Sequence, residues 1–324
     1  WVDYHRWRDI LVPIILVIIA MLVYVLGFGT AVNGAKRWIY IGSFSVQPAE
    51  FAKICSVMIE AYYLSYCIQK RQAFKLIQSQ HGTLVVLAAL VELEPDMGTM
   101  MIILGVPLLM LIVAGLDMGK IKNLIFIVVA AATALCIYQP YRLQRIKVML
   151  DPWADAQGMG YQTVQSITAI GSGGFWGMGL GEGLAKYAYL PEAHTDFAFA
   201  VFCQENGFLL AAGLIILYGL LGYFGAKIAK NAYDAYGQVL AGGLVILICL
   251  QAVINMFMVS GFLPVIGVPL PFISYGGCSL LVSMAALGIL VNINRYSLIK
   301  QRKMEKLTEH NLANRQKPMR LMPG

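Results

Sequence analysis

The sequence predicts an all-α, polytopic membrane protein with about eight membrane-spanning helices in this chain. Of its 324 residues, 59% are hydrophobic and only 13% are charged, whereas soluble domains carry about 25% charged residues. The mean hydropathy is +0.70. So much apolar surface exceeds what a soluble core can bury, because the buried fraction rises only slowly with domain size. Lipid is therefore the predicted solvent for most of the chain, which excludes an ordinary soluble enzyme.

The apolar residues are grouped into segments long enough to cross a bilayer, which needs about 20 mainly apolar residues. The third segment is short and ends in a polar run at 92–96, so we expect it to stop before it crosses fully. Residues 1–324 are interpreted as one membrane domain. Its candidate spans are 10–28, 50–68, 82–94, 98–115, 121–138, 197–224, 238–260 and 274–293.

One connection, residues 139–196, is long, rich in glycine and too polar to lie in lipid. Connections of this length usually serve a function. Within it, the segment 171–181 holds six glycines, but it lacks the Lys-Ser/Thr ending of a phosphate-binding loop and follows no strand. Turns are therefore the favoured interpretation of the glycines. The stretch 141–150 mixes basic residues, Arg145 among them, with apolar ones and predicts a helix at the membrane interface.

The basic residues predict the orientation, because cytoplasmic loops are enriched in Lys and Arg. With both ends of this chain cytoplasmic, 17 of the 24 basic residues face the cytoplasm, six lie outside, and Lys53 lies within a span. The loop 139–196 then faces outward, and 295–324 is a solvated cytoplasmic tail. The net charge of +7 therefore reports orientation and does not indicate nucleic-acid binding. Because 1–8 is typical of a cytoplasmic loop between spans, we expect an even number of spans before Trp1.

Two charges lie inside the second span, where each costs about 2.5–3.5 kcal/mol on insertion scales. Glu50 and Lys53 are three residues apart, so they share a helix face, and Gln47 lies just before them. Two interpretations remain open: an ion pair that joins two helices, or a polar cavity that handles a charged ligand.

Further polar groups are predicted on the same side of the membrane. The acidic run 92–96 lies at the outer end of the third span, Ser274 begins the eighth, and the long loop ends outside. Helix-joining ion pairs alone would have no reason to gather in one leaflet. The topology therefore indicates an outward-facing polar site.

The end of the long loop carries His194, Thr195 and Asp196. A carboxylate beside apolar walls has a raised pKa and can act as a base near neutral pH. The alternative is structural, because Thr and Asp are good N-caps and either residue would cap the span that begins at 197. Both roles can apply together.

Several longer motifs, taken together, resemble the SEDS family (shape, elongation, division and sporulation proteins), typified by FtsW and RodA. The motif with Ala193 is more similar to the FtsW branch for division and sporulation. The motifs cover nearly the whole chain in order: VNGAKRWIYIGSFSVQPAEFAKI (32–54), EPDMGT (94–99), GYQTVQSITAIGSGG (160–174), LPEAHTDFAFAV (190–201) and PFISYGGCSLL (271–281).

This resemblance implies ten spans, with the first two absent before Trp1. It also implies a peptidoglycan glycosyltransferase that polymerises lipid II on the outer face of the bacterial cytoplasmic membrane. The implied partners are a class B penicillin-binding protein, other divisome or elongasome proteins, and membrane lipids. Two positions depart from the family pattern: Asn206 stands where a second glutamate is frequent, which leaves Glu205 alone, and Cys278 replaces a serine.

By the resemblance, Asp196 matches the essential loop aspartate, and Glu50 and Lys53 match an acid–base pair within the membrane. Polymerisation needs a base for the acceptor hydroxyl and positive charge for the departing diphosphate. We expect Asp196 to be the base and a divalent cation, Mg²⁺ or Mn²⁺, to be held by Glu50. The expected substrate contacts, in addition to Lys53, are His194, Thr195, Arg145, Lys186, Gln47 and Ser274.

Two other classes of function remain as alternatives. A lipid II flippase would suit the charged pair within the membrane, although the spans show no obvious inverted repeat. A non-catalytic scaffold for a penicillin-binding protein would explain apolar helix faces, but it would not explain clustered outer carboxylates.

Overall fold

A computed structural model describes residues 2–32, 35–42, 44–75, 78–117, 119–123, 126, 140–187 and 190–315. Most of the candidate span 121–138 lies outside these residues. The elements are numbered in chain order: α1 His5–Asp9, α2 Leu11–Phe28, β1 Thr30–Val32, β2 Ala35–Ile41, β3 Phe44–Val46, α3 Pro48–Lys70, α4 Ser79–Leu93, α5 Met97–Val113, α6 Pro140–Leu150, α7 Tyr161–Ser172, α8 Ala198–Lys230, α9 Ala235–Val259 and α10 Gly277–Arg315.

Five of the eight predicted spans are confirmed in the residues that the structure describes. In the described residues, five helices are long and apolar enough to cross a membrane, namely α2, α3, α8, α9 and the part Gly277–Thr308 of α10. Helices α4 and α5 are apolar but shorter, with 15 and 17 residues. At about 1.5 Å per residue, α4 is shorter than a hydrocarbon core of about 30 Å, as its polar end at 92–96 predicted.

The helices differ in how much of their surface faces outward. In the most apolar stretch of each, 72% of the α3 residues are buried but only 11% of those in α8. Helix α3 therefore lies at the centre and packs against α2, α4, α5 and α9, whereas most of α8 is exposed at the surface of the bundle. The three short strands form an antiparallel sheet in the order β1-β2-β3 just before α3.

Helix α8 is broken at Gly207, whose backbone is not helical (φ 70°, ψ −176°). The segment 171–181 crosses the helix there, and a Cβ on Gly207 would lie 2.3 Å from the backbone N of Gly177. Backbone bonds join the two: the Met178 N–H donates to the carbonyl of Gln204 at 3.0 Å, and the Phe208 N–H to that of Gly174 at 2.9 Å. The glycines thus serve a close backbone crossing in addition to the predicted turns.

The crossing predicts a difference between two glycines of α8. Gly207→Ala should destabilise the protein by more than about 2 kcal/mol, because alanine adds both a positive-φ cost and a backbone clash. Gly213→Ala is the matched control, since nothing lies within 4 Å of a Cβ there, and it should be neutral or stabilising by up to about 1 kcal/mol. Thermal unfolding of the two purified variants in detergent measures the difference, and equal midpoints would contradict the role of the crossing.

Candidate active site

The site lies where the start of α3 meets α9, the turn between α4 and α5, and the segment that precedes α8. The Lys53 ammonium is 1% exposed and donates to Glu50 Oε1 at 2.8 Å and to Gln251 Oε1 at 3.1 Å. The predicted shared face of Glu50 and Lys53 is therefore confirmed. Because Gln251 belongs to α9, the pair also joins two helices, as one of the two interpretations held.

Two amides of α9 hold the irregular backbone that surrounds the site. Gln251 Nε2 donates to the carbonyl of Pro269 at 2.9 Å. One turn further along α9, Asn255 Nδ2 donates to the carbonyls of Asp196 at 2.8 Å and Val268 at 2.7 Å. Buried main-chain carbonyls need such partners when no strand or helix supplies them. Sequence reasoning missed both amides, although polar residues four apart in an apolar span were a signal for one shared face.

The predicted N-cap role of Thr195 or Asp196 is wrong. The N-cap position of α8 is Phe197, and no side chain makes a cap bond there. The chain instead turns at 192–197, where the Thr195 hydroxyl donates to Glu192 Oε2 at 2.9 Å. Asp196 is therefore not committed to capping α8.

The surroundings of Asp196 raise its pKa to about 6. Burial is the main cause, and the nearby carboxylates of Glu192, Asp96 and Glu50 raise the pKa further, whereas the Arg37 guanidinium lowers it. Its carboxylate faces Gly267, where a Cβ would lie 3.3 Å from Oδ2. A carboxylate with this pKa is mostly ionised at neutral pH and is still basic enough to accept a proton.

Arg37, the third residue of β2, is a site residue that sequence reasoning did not select. Its Nε donates to the main-chain carbonyl of Glu94 at 2.9 Å, and its Nη2 donates to that of Pro95. These partners are neutral, so they orient the guanidinium without cancelling its charge. Burial and Asp96 raise the pKa of the Glu94 carboxyl to about 8, so Glu94 is mostly protonated at neutral pH.

The Ser274 hydroxyl and one main-chain bond hold the end of the long loop in place. The Ser274 hydroxyl donates to the carbonyl of Thr195 and accepts the N–H of Leu270 at 2.8 Å. The carbonyl of His194 accepts the N–H of Tyr275 at 2.8 Å, while the His194 residue itself is exposed. These contacts fasten the Asp196 segment to the start of α10.

On the α3 side, Gln47 lies at the edge of the carboxylate cluster. Its Nε2 donates to Asp96 Oδ2 at 3.4 Å, and the other oxygen of Asp96 accepts the N–H of Thr99 at 3.1 Å as the cap of α5. Gln47 therefore contacts one of the carboxylates that surround Asp196.

The two loop cations expected to contact substrate have other partners. Arg145, on the predicted interfacial helix α6, donates to the carbonyl of Val265 and lines a cavity of about 500 Å³ together with Pro191. Lys186 forms an ion pair with Glu205 at 2.7 Å. The long loop folds so that these charges meet carbonyl and carboxylate groups of this chain.

The residues around Glu50 do not fit a resident divalent cation. Its Oε1 accepts the Lys53 ammonium, and the described part of the chain contains no group of three or more His, Cys, Asp or Glu side chains that could hold a metal. A metal at Glu50 would have to lie beside an ammonium group, which repels it.

Comparison with known proteins gives a consistent result over most of the chain. A family model for cell cycle proteins of the FtsW, RodA and SpoVE type matches residues 1–299. The chain is 41% identical over 300 residues to a probable peptidoglycan glycosyltransferase FtsW of Trichlorobacter lovleyi, covering 90% of this chain and 78% of that protein. It is 38% identical over 299 residues to stage V sporulation protein E of Bacillus subtilis, covering 91% and 82%.

Solved structures show the same architecture. One, described as structural coordination of polymerization and crosslinking by a peptidoglycan synthase complex, aligns with a TM-score of 0.76 and 25% identity over 92% of this chain and 84% of that chain. The rod shape determining protein RodA of Thermus thermophilus aligns with a TM-score of 0.65 and 25% identity, covering 91% and 80%.

Because the Asn255 side chain tethers two main-chain carbonyls, replacing it by an apolar side chain of similar size should strongly destabilise the protein. Asn255→Leu removes the donor and leaves the buried carbonyls of Asp196 and Val268 unpaired, so the protein should lose about 2–5 kcal/mol of stability. Val253→Leu is the matched control, because Val253 is 49% exposed on the same helix, and it should change little. Thermal unfolding in detergent tests the pair, and an unchanged midpoint for Asn255→Leu would show that the tether is dispensable.

Proposed function

The chain belongs to the cell cycle protein family of FtsW, RodA and SpoVE, and we propose that Asp196 is its catalytic base. The family model covers residues 1–299, and relatives about 40% identical are named peptidoglycan glycosyltransferases. The chain is accordingly a multi-pass membrane protein and a peptidoglycan glycosyltransferase. The observation that carries the assignment of Asp196 is its half-buried position among like charges, with a pKa of about 6.

The proposed reaction is the polymerisation of lipid II. A sugar hydroxyl of the acceptor forms a bond to the anomeric carbon of the donor, while the bond from that carbon to undecaprenyl diphosphate breaks with its electron pair. Asp196 accepts the proton of the attacking hydroxyl. A single displacement of this kind inverts the anomeric centre once.

Arg37 is the cation best placed for the departing diphosphate. It acts on the Asp196 carboxylate electrostatically, and its neutral carbonyl partners leave its positive charge available to an anion. Lys53 is almost fully buried and bound to Glu50 and Gln251, so its proposed role is to position the site. The departing diphosphate binds a guanidinium well, because a guanidinium offers several hydrogen-bond donors at once.

The Mg²⁺ or Mn²⁺ expected from the sequence remains a prediction, and Glu50 is not assigned as its ligand. If the ion accompanies the diphosphate of the substrate, it adds positive charge at the leaving group. The proton transfer to Asp196 and the contact with Arg37 are roles of this chain's own side chains.

We place the site on the outer face of the bacterial cytoplasmic membrane, with both ends of this chain cytoplasmic. Helix α8 supports this orientation: Asp196 precedes its first residue, while Lys227 and Lys230 lie in its last turn, where basic residues favour the cytoplasm. The proposed partner is a class B penicillin-binding protein within the divisome or elongasome. A structural neighbour described as part of a peptidoglycan synthase complex supports such an assembly.

A polymerisation assay with labelled lipid II in detergent separates this function from transport and from scaffolding. Only an enzyme makes glycan there, because detergent offers no two sides between which a flippase could move its substrate. The assay includes a penicillin-binding partner that cannot itself polymerise lipid II, so that any glycan is made by this chain.

Asp196→Asn should abolish glycan formation, with a loss of at least about 10³-fold if the base is essential. The same variant should unfold at a higher temperature, since it removes a half-buried charge that is repelled by its neighbours. A variant that is inactive and less stable would indicate a structural role instead. Wild-type glycan output from a folded Asp196→Asn protein would refute the base assignment.

The pH dependence of polymerisation should report the raised pKa of Asp196. Because the base must be ionised, the rate should rise with pH through about 6 and level off above it. Glu192→Gln removes a neighbouring negative charge, so the acid limb should move to lower pH. Arg37→Gln removes the opposing positive charge, so the limb should move to higher pH and the plateau should fall.

The acid limb of the pH–rate profile should therefore shift in opposite directions in the two variants. Partial unfolding would not produce shifts of opposite sign. Glutamine at 192 keeps an acceptor for the Thr195 hydroxyl, so the local turn should persist. The same shift in both variants, or none in either, would argue that another group sets the acid limb.

A further inference from the structure

An aromatic surface on the long loop has no role in the site described above. The aromatic patch consists of Phe175, Trp176 and Phe208, which are 52%, 77% and 63% exposed. The rings nevertheless pack on each other, with 5.0 Å between the ring centroids of Phe175 and Trp176 and 5.9 Å between those of Phe175 and Phe208. Leu180, 81% exposed, lies close by in the chain. Clustered exposed aromatic side chains of this kind mark an interaction surface.

The backbone beneath the aromatic patch is paired inward, toward α8. The Met178 N–H donates to the carbonyl of Gln204 at 3.0 Å, and the Leu209 N–H of α8 donates to the carbonyl of Phe175 at 3.3 Å. Irregular backbone is tolerated at membrane depth only when its polar groups find partners within the protein. This segment meets that condition while it directs apolar side chains outward.

The length of α8 places the aromatic patch at a defined depth. Lys227 is the first basic residue at the far end of α8. The 19 residues from Phe208 to Ala226 span about 29 Å at 1.5 Å per residue, close to the hydrocarbon thickness of about 30 Å. With Lys227 at one membrane surface, Phe208 and the neighbouring Trp176 therefore lie at the other, which is the level where Trp and Tyr form aromatic belts.

We propose that the aromatic patch inserts into the bilayer at the boundary between headgroups and acyl chains, on the membrane side that holds Asp196. The patch continues directly into the lipid-facing surface of α8, through Leu209 and Leu210, which are 49% and 53% exposed. This continuity favours lipid over a protein partner as the occupant. Contact with the bilayer then stabilises the glycine crossing. It also stabilises the first part of α8, residues 198–206, which follows Asp196.

Tryptophan fluorescence tests the insertion in the purified full chain, without any partner, in phosphatidylcholine vesicles. The lipid quencher is phosphatidylcholine brominated near the start of its acyl chains, and the aqueous quencher is iodide. Trp176→Phe is compared with Trp153→Phe. Trp153 is a matched control because it is 61% exposed on the same loop but lies between Asp151 and Asp155.

If the patch is inserted, Trp176→Phe should lower the fraction of the fluorescence that the brominated lipid quenches. We expect this decrease to be about twice any change that Trp153→Phe causes in the same fraction. Conversely, Trp153→Phe should lower the share quenched by iodide. An unchanged bromolipid share in Trp176→Phe, equal losses in the two variants, or iodide access to Trp176 would each overturn the proposal. Protection of an iodide-accessible Trp176 by an added penicillin-binding protein would overturn it too, in favour of protein docking.

A chain that keeps Trp176 as its single tryptophan provides a second measurement. Its emission maximum should lie at shorter wavelength than that of a chain keeping only Trp153. Both tests measure membrane contact and do not depend on the assignment of Asp196. Failure of the catalytic proposal would therefore leave this inference intact, and the reverse also holds.

Discussion

The need to pair buried main-chain carbonyls organises the whole site. Between α9 and α10 the chain runs through 260–276 without a regular helix, so no ladder of backbone bonds is available there. Gln251 and Asn255 supply donors to Pro269 and Val268 instead. Because the same two amides also reach Lys53 and the carbonyl of Asp196, the requirement of the backbone fixes the geometry of the candidate active site.

This tether also explains how Asp196 is kept in unfavourable surroundings. Burial and three neighbouring carboxylates all oppose its ionisation, and a free side chain would turn away from them. The bonds from Asn255 to its carbonyl and from Ser274 to the carbonyl of Thr195 hold the backbone on both sides of the side chain. Stability lost at one residue is a common accompaniment of function, and contacts elsewhere offset it.

The break in α8 likewise depends on the pairing of backbone groups. A broken helix exposes backbone groups that lipid cannot satisfy, and the glycine segment 171–181 supplies them with partners through a crossing too close for a side chain. The long loop is therefore bonded to a membrane-spanning helix and is not a separate appendage. Its ion pair between Lys186 and Glu205 adds a second link across the same junction.

Local properties of the sequence predicted the spans and the shared face of Glu50 and Lys53, because hydropathy and helical periodicity depend only on nearby residues. Asp196 was selected because one motif places a carboxylate at the mouth of a span. The N-cap expectation failed, since it depended on where the chain turns at 192–197. Arg145 and Lys186 were expected to contact substrate because of their positive charge. Their partners in this chain, Val265 and Glu205, lie outside the loop, so the loop sequence did not indicate them.

By itself, then, the sequence determined that this is a membrane protein. It also determined most of its helical segments and the family that it resembles. Only the tertiary structure decided which charges meet. Arg37, Gln251 and Asn255 lie far from Asp196 along the chain, and their contacts depend on helix packing and on the path of irregular backbone. Electrostatic shifts of a carboxylate follow from such three-dimensional distances, so no one-dimensional spacing encodes them.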